Sequence, residues 1–239
     1  NTYEKRIEQA LISLKENEQE YLSVDGLKIY SPKYLNMLST INSPDNKGLH
    51  LVYSQLRTLE GIGIFKLVLE ANGYAHFRLK KTDDNKWTIN IKDSDRGKPT
   101  FALYTGTESV EEKEIIKNIF NGTWEYVPSE IRTELEKISN NNKYGEIIKV
   151  LMITSSGAEG ISLKNVRFVH IMEPYWHPVR MEQVIGRARR ICSHDELNEE
   201  ERTVEVFIYL MEFSKSQLEK TSKVTLSKEL RLHDVSRIN

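Results

Sequence analysis

The sequence lacks several features that define special classes of protein. It has 1 cysteine in 239 residues, Cys192, which excludes an internal disulfide framework and a four-cysteine zinc site. Its longest apolar stretches fall well short of the roughly 20 residues that span a bilayer, and no signal-peptide pattern opens it. Its first residue is Asn rather than Met. We therefore expect a piece of a longer polypeptide that is neither secreted nor inserted in a membrane.

An excess of charge of one sign is also missing. Lys and Arg number 34 against 35 for Asp and Glu, so the formal net charge is −1. This balance excludes a global electrostatic attraction to nucleic acid or membrane, and any site for a polyanion must be local. With 38% hydrophobic residues, the chain is long enough to bury the core of one large domain or two small ones.

Apolar strand-like segments alternate with segments of helical periodicity. The predicted strands do not alternate polar and apolar residues, which is typical of a parallel sheet covered on both faces. We therefore predict an α/β fold with a doubly wound, mostly parallel sheet and helices on both faces. Residues 80–99 are polar and predict an inserted hairpin. The predicted strands are 49–53, 75–79, 100–104, 148–154, 168–172 and 203–210, and the main predicted helices are 4–22, one that opens at Ser31-Pro32, 56–72, one that holds residues 110–120, 129–138 and 179–191.

The predicted helix 179–191 is cationic on one face. Polar residues recur at helical spacing along a stripe, while apolar residues cover the other side. Arginine forks suit phosphate oxygens. Gly186 costs about 1 kcal/mol relative to alanine in a helix, which indicates a close approach to the backbone there. The alternative is a solvated arginine-rich face. The stripe consists of Arg180, Gln183, Arg187 and Arg190.

A loop of small residues follows the predicted strand 148–154. Residues 154–163 read TSSGAEGISL, so hydroxyls and glycines come where a parallel sheet exposes its carboxyl edge to ligands. Backbone amides and short hydroxyl side chains can hold a phosphate backbone there without reading bases. Loops of this composition are common, and this one alone identifies no function.

Taken together, these segments resemble the second RecA-like lobe of superfamily 2 helicases and translocases. The run Gln183-x-x-Gly186-Arg187-x-x-Arg190 is similar to motif VI of that superfamily, and residues 154–163 are similar to motif V. Residues 51–55, LVYSQ, are similar to motif IV, and 103–106 resemble the strand and turn that follow it. The resemblance covers about residues 31–210.

One segment narrows the resemblance to a subgroup. Residues 173–178, EPYWHP, are similar to the connection between motifs V and VI in the Swi/Snf-like group, with His177 where Asn is typical. The stretch 159–194 most resembles helicases of large cytoplasmic DNA viruses, of the poxvirus early-transcription-factor and nucleoside-triphosphatase type. The resemblance thus implies a viral protein in the cytoplasm, in a virus factory or a virion.

The resemblance implies roles for particular residues. Arg187 and Arg190 would be arginine fingers on the γ-phosphate of ATP, which is bound with Mg²⁺ mainly by a first lobe of the same polypeptide. Gln183 would order the nucleotide. The remaining implied nucleotide-site residues, near the ribose and the lobe interface, are Gly160, Ser162 and Glu159. The implied contacts to the backbone of DNA or RNA are Ser54, Gln55, Thr105, Thr154 and Ser155.

The sequence lacks the motifs of the first lobe. There is no Gly-x-x-x-x-Gly-Lys-Ser/Thr loop, since Gly97-Lys98-Pro99-Thr100 has proline where Ser or Thr belongs, and there is no Asp-Glu-x-His box. We therefore expect the chain alone to hydrolyse little or no ATP. Closing and reopening of a cleft between two lobes would need the complete polypeptide.

Three regions and two functional hypotheses follow. We expect N-terminal helices in residues 1–45, a helicase C-terminal domain in 46–212 and an extension in 213–239. The first hypothesis is a motor lobe that acts on DNA or RNA, with viral transcription machinery as a further partner. The second is a non-catalytic subunit that serves as a nucleic-acid or protein docking platform of a viral transcription complex. The four motif VI residues occur together, which favours the motor.

Two further features favour structural roles. His170, His177 and His194 lie near Cys192 in the sequence, but their spacing matches no usual zinc pattern, and we expect no metal site. Tyr175 and Trp176 favour packing over stacking on a base.

Overall fold

A computed structural model describes residues 2–59, 61–158, 160–174 and 178–212. The chain divides into two compact units, Asn1–Tyr209 and Leu210–Asn239, and the fold described below is that of the first unit. The predicted extension 213–239 lies outside the described residues. Within the described residues, no helix is both long enough and apolar enough to cross a membrane.

Helices precede the first strand and then alternate with strands. In chain order the elements are α1 (Tyr3–Glu16), α2 (Glu18–Tyr21), α3 (Val24–Tyr30), α4 (Pro32–Asn42), β1 (Leu49–Ser54), α5 (Ile62–Ala71), β2 (Ala75–His76), β3 (Leu79–Lys81), β4 (Trp87–Ile89), β5 (Thr100–Tyr104), α6 (Val110–Phe120), α7 (Ser129–Glu136), β6 (Val150–Thr154), α8 (Ser155–Ala158), β7 (Val166–Ile171), α9 (Pro178–Ala188) and β8 (Glu205–Ile208).

The main sheet is parallel throughout. Its 6 strands are ordered β2-β5-β6-β1-β7-β8, and every neighbouring pair runs in the same direction. β1 lies between β6 and β7, and Tyr53 is in register with Ile153 on one side and Ile171 on the other. The predicted parallel α/β sheet is confirmed, and the carboxyl ends of its strands meet at one edge.

Helices cover both faces of the sheet, as predicted. Side chains of successive strand residues point to opposite faces: Leu51 and Tyr53 join one core with α6, α7 and α9, and Val52 joins another with α3, α4 and α5. The N-terminal helices share this second core with the sheet. Their buried residues include Leu27, Tyr34, Met37, Leu38 and Ile41.

The start of α4 follows the sequence prediction. The Ser31 hydroxyl accepts a hydrogen bond from the Tyr34 N–H at 3.4 Å, and Pro32 occupies the first helical position, where its missing N–H costs nothing. By contrast, the predicted helix 4–22 is interrupted at Asn17, between α1 and α2. Helix α3 was not predicted; the hydroxyl of Ser23 caps it by accepting from the Gly26 N–H.

The predicted helix 56–72 was wrong at its start, because α5 begins only at Ile62. The N–H groups of Ile62 and Gly63 donate to the carbonyls of Leu56 and Thr58, both at 3.0 Å. Residues 55–59 therefore form a loop that folds back over the first turn of the helix. This region is called the Gln55 loop below.

The predicted hairpin in residues 80–99 is confirmed as an antiparallel pair, β3 with β4. It is anchored on the helices beneath it. The Trp87 indole N–H donates to Glu111 of α6 at 2.8 Å, the Lys81 ammonium pairs with the same carboxylate at 2.8 Å, and Lys86 lies 3.6 Å from Glu130 of α7. The hairpin is thus an attached element of the lobe.

A buried chain of hydrogen bonds crosses the sheet on the α4 side. His50 Nε2 lies 3.2 Å from the carbonyl of Asn46, and a carbonyl can only accept, so His50 Nε2 carries the proton. His50 Nδ1 then accepts from His170 Nε2 at 2.9 Å. His170 Nδ1 in turn accepts from the Tyr209 hydroxyl at 2.8 Å. The position of each proton in this series of hydrogen bonds is therefore assigned, and both imidazoles are neutral.

Acid should destabilise the fold through these two rings. Burial lowers the pKa of His170 from 6.5 to about 3; burial and then the neighbouring His170 lower the pKa of His50 well below its usual value. Below pH about 6.5 the two histidines bind protons in the unfolded chain but not in the folded one. The free energy of unfolding therefore falls by up to about 1.4 kcal/mol per histidine for each unit by which the pH is lowered. Urea denaturation between about pH 8 and pH 5 would measure this loss. The double variant His50→Gln/His170→Gln should lose less on acidification, and an unchanged slope would contradict the assignment.

Candidate functional site

The carboxyl edge of the parallel sheet gathers the polar residues singled out by the sequence. Ser54 ends β1, Thr105 follows β5 and Thr154 ends β6, and all three strands point to the same edge. α9 comes to this edge because Val184 and Ala188 pack in the core beside β7. The fold thus places the cationic helix beside the small-residue loop.

A cleft of about 420 Å³ lies between the start of α8 and α9. Hydroxyls from one side face an amide and guanidinium groups from the other, which is the donor set that phosphate oxygens require. The structure therefore brings together Ser155 with Gln183 and Arg187, from the segments that resemble motifs V and VI. The cleft is lined by Tyr53, Ser155, Ser156, Arg180, Gln183, Val184 and Arg187.

Arg190 does not continue the stripe. The predicted helix 179–191 was wrong at its end, because α9 ends at Ala188. The Ser193 hydroxyl donates to the Ala188 carbonyl at 3.2 Å, and Cys192 turns the chain with a φ of 60°. Arg190 instead lines a second cleft of about 510 Å³ with Arg189, Ile191, His194, Arg202, Thr203 and Val204.

A close packing contact supports the first cleft from below. A Cβ added at Gly157 would lie 2.1 Å from the Tyr104 carbonyl oxygen and 3.1 Å from the Tyr104 ring. A Cβ at Gly106 would lie 3.2 Å from the Ser156 hydroxyl. Glycine at 157 is therefore needed because α8 packs directly against the end of β5.

Three of the five expected nucleic-acid contacts are buried. The exposed fractions are 0% for Ser54 and 2% for both Thr105 and Thr154. Their hydroxyls have partners within the lobe: Ser54 donates to Glu173 at 2.8 Å, Thr105 bonds to Glu108 at 3.1 Å, and Thr154 lies 3.0 Å from the Ser156 hydroxyl. These three hydroxyls are thus inaccessible in the lobe by itself, and direct contact through them stays a prediction. Gln55 is half-buried and Ser155 is exposed, so both remain accessible.

Two of the expected nucleotide contacts, Gly160 and Ser162, lie outside the first cleft. Gly160 is exposed with a φ of +74°, and no atom of the described residues lies within 4 Å of where its Cβ would be. Ser162 is exposed, and its carbonyl accepts from the Asn121 amide at 2.9 Å. Neither residue lines the first cleft, and Glu159 lies outside the described residues.

Gly186 has no close neighbour in the described part of the chain. A Cβ there would meet nothing within 4 Å, so no described residue approaches the backbone as expected. The histidines near Cys192 have structural partners where they are described. His170 belongs to the buried hydrogen-bonded chain, and His194 lies 2.8 Å from the Val166 carbonyl. Tyr175, Trp176 and His177 lie outside the described residues.

The residue that the sequence analysis missed at this edge is Glu173. Its carboxylate accepts from the Ser54 hydroxyl at 2.8 Å and the Gln55 N–H at 3.2 Å. Burial raises the pKa of Glu173, and the Ser54 hydrogen bond and Lys33 act against that rise. Its partners are 119 and 118 positions away in sequence, so no local pattern could reveal the contact.

Comparison with known proteins agrees with the geometry. Residues 83–192 match the family described as the Helicase conserved C-terminal domain. The chain is 33% identical over 191 residues to a protein of Acanthamoeba polyphaga mimivirus named as an ATP-dependent RNA helicase, with 80% of this chain and 28% of that protein covered. It is 32% identical over 228 residues to the termination factor NPH-I homolog of African swine fever virus, with 84% and 29% covered. The chain thus spans less than a third of these relatives.

Among solved structures, the C-terminal part of the Fun30 ATPase domain is similar to 81% of this chain. That similarity covers 45% of the other chain, with a TM-score of 0.45 and 14% sequence identity.

Two glycine substitutions should have opposite effects on stability. Gly157→Ala places a methyl group against the fixed Tyr104 carbonyl, and we expect a loss of about 2 to 4 kcal/mol in the free energy of unfolding. Gly186→Ala adds a methyl group in open space on a helix, where alanine is favoured by up to about 1 kcal/mol. Urea denaturation of both variants measures the difference. Equal stability of the two variants would refute the packing described for α8.

Proposed function

We propose that this chain, whose residues 83–192 match the family described as the Helicase conserved C-terminal domain, is the second motor lobe of an ATP-dependent helicase or translocase. The lobe would contribute arginine fingers and nucleic-acid contacts to a two-lobed motor. The first lobe, which binds ATP, would belong to the same polypeptide. The relatives' names, an ATP-dependent RNA helicase and a termination factor homolog of two viruses, support a viral nucleic-acid motor of transcription. Its track would be DNA or RNA, and its place would be the cytoplasm, in a virus factory or virion.

The observation that carries this proposal is the cleft between α8 and α9. Arg187 lies in the last turn of a helix whose other face is packed in the core, so its backbone is fixed beside the cleft before any ligand binds. The charge and fork geometry of arginine suit a transferring phosphoryl group. Gln183, one turn earlier on the same cleft, can donate and accept hydrogen bonds to order the nucleotide.

The residues of this cleft fit part of a nucleotide and not a metal. Cationic and hydroxyl groups line it, which suits phosphate oxygens, whereas Mg²⁺ prefers carboxylates and water. ATP supplies the phosphoryl group and Mg²⁺ neutralises its charge when both are bound by the first lobe. Arg187 then completes the site from this lobe as the two lobes close. Gly160, Ser162 and Glu159 would contribute to the nucleotide site near the ribose and the lobe interface.

Nucleic acid would contact the same edge through its accessible groups. Gln55 and Ser155 are accessible at the ends of β1 and β6. The buried hydroxyls of Ser54, Thr105 and Thr154 would hold these loops in place from beneath. Backbone contacts of this kind position a motor on its track without reading sequence.

The decisive experiment is the nucleic-acid-stimulated ATPase activity of the complete polypeptide and its Arg187→Ala variant. Removing an arginine finger should lower turnover on the order of 10³-fold. The 239-residue chain alone should be inactive. Arg132→Ala is the matched control, since Arg132 is an exposed arginine on α7 paired with Glu136, away from the cleft.

The same assay tests Arg190, which lines the other cleft. Arg190→Ala should also lower turnover if Arg190 is a second finger, because lobe closure would have to bring it to the nucleotide. If the complete polypeptide hydrolyses no ATP, or if Arg187→Ala turns over as fast as Arg132→Ala, the motor proposal fails. The docking-platform hypothesis would then replace it.

A further inference from the structure

The Gln55 loop is an exposed protrusion at the carboxyl end of the central strand. Leu56 is 39% exposed, and Arg57 and Thr58 are exposed beside it. The loop lies at the same sheet edge as Ser155, and it carries a cation within two residues of Gln55. Phosphate backbones bind such guanidinium groups.

The loop is held on its inner side by Glu173. The carboxylate accepts hydrogen bonds from the first two residues of the turn, at Ser54 Oγ and Gln55 N. The same Ser54 oxygen accepts from the Leu56 N–H and lies 3.0 Å from the Leu56 carbonyl. One carboxylate thus determines the direction in which the chain leaves β1.

Helices α4 and α5 hold the other end of the loop. The carbonyls of Leu56 and Thr58 accept from the start of α5, and the Tyr34 hydroxyl of α4 donates to the Gly61 carbonyl at 3.5 Å. A Cβ at Gly61 would lie 2.0 Å from the Leu56 carbonyl oxygen. With both ends fixed, the loop has little freedom to change shape while Glu173 remains in place.

Glu173 is a costly residue to keep for stability alone. Its Oε1 atom is buried without a hydrogen-bond partner among the described residues, and the Lys33 ammonium lies at 4.0 Å, the outer limit of an ion pair. Burying a partly satisfied carboxylate costs free energy that an apolar residue would not. The two hydrogen bonds that the carboxylate does accept both come from the point where the chain leaves β1 and enters the Gln55 loop.

We infer that Glu173 is a positioning residue that holds the Gln55 loop in the shape in which Arg57 binds the phosphate backbone of nucleic acid. This inference rests on the proposed function only in taking nucleic acid as the ligand. It assigns Arg57 a direct contact and Glu173 an indirect one, made through the loop.

Fluorescence anisotropy of the complete polypeptide with labelled single-stranded and duplex oligonucleotides tests both assignments. Arg57→Gln should weaken binding roughly tenfold and reduce the slope of log affinity against log salt by about 1, because one phosphate contact is lost. Glu173→Gln should weaken binding by up to the same factor, because displacement of the loop loses the same Arg57 contact. The double variant should bind nearly as well as the weaker single variant, because both changes act on one contact.

Two control variants separate this effect from loss of charge or structure. Glu196→Gln removes a partly exposed carboxylate paired with Lys164, and Arg6→Gln removes an exposed arginine on α1. Both should bind like the wild type. If Glu173→Gln does not fold, as shown by its thermal melt, Glu173→Asp keeps the charge on a shorter side chain and should show the same loss of binding.

Several results would overturn the inference. They are wild-type affinity in Arg57→Gln, an unchanged salt slope in that variant, single losses that multiply in the double variant, or no binding of either oligonucleotide by the wild type. Because binding is read without hydrolysis, the inference can fail while the ATPase test succeeds, and the reverse also holds.

Discussion

Parallel pairing of β1 with both β6 and β7 is the constraint on which the candidate site depends. The shared register of Tyr53 with Ile153 and Ile171 makes three strands end together, so that segments more than a hundred residues apart in sequence become neighbours. An antiparallel strand at any of these positions would send its loop to the opposite edge. The cleft forms because the polar loops that follow these parallel strands all lie at one edge of the sheet.

The edge is built in two layers. The outer layer holds accessible groups such as Gln55, Ser155 and Arg187. The inner layer holds buried groups that are hydrogen-bonded to one another, such as Ser54 to Glu173. Since buried polar groups are costly unless they are satisfied, the inner layer rigidifies the loops only because nearly every group has found a partner. Some hydroxyl residues of a binding motif can thus hold the loops in place, while others face the ligand.

The sequence was informative where short-range chemistry decides the structure. The apolar run at β1 and the Ser31-Pro32 cap identified their elements, because both signals lie within a few residues. The end of α9 could not be predicted, since Arg189 and Arg190 favour helix and the stop depends on Ser193 after the turn. The burial of Ser54 was equally hidden, because its partner Glu173 follows another strand, β7, far along the sequence. The resemblance to known motifs located the site. Which side chains are accessible could be determined only from the folded structure.

Because α9 ends early, the backbones of Arg187 and Arg190 differ in conformational freedom before a ligand binds. Arg187 extends from a helix packed in the core, so little backbone freedom is lost when it meets an anion. Arg190 lies two residues beyond Ala188, the last helical residue, and two before Cys192, which turns the chain, so its backbone is outside the hydrogen-bond ladder of the helix. The helix therefore fixes the backbone of Arg187, whereas the Arg190 carbonyl accepts a turn hydrogen bond from the Ser193 N–H at 3.1 Å. We therefore expect the backbone at Arg190 to adjust more when a ligand binds than the backbone at Arg187.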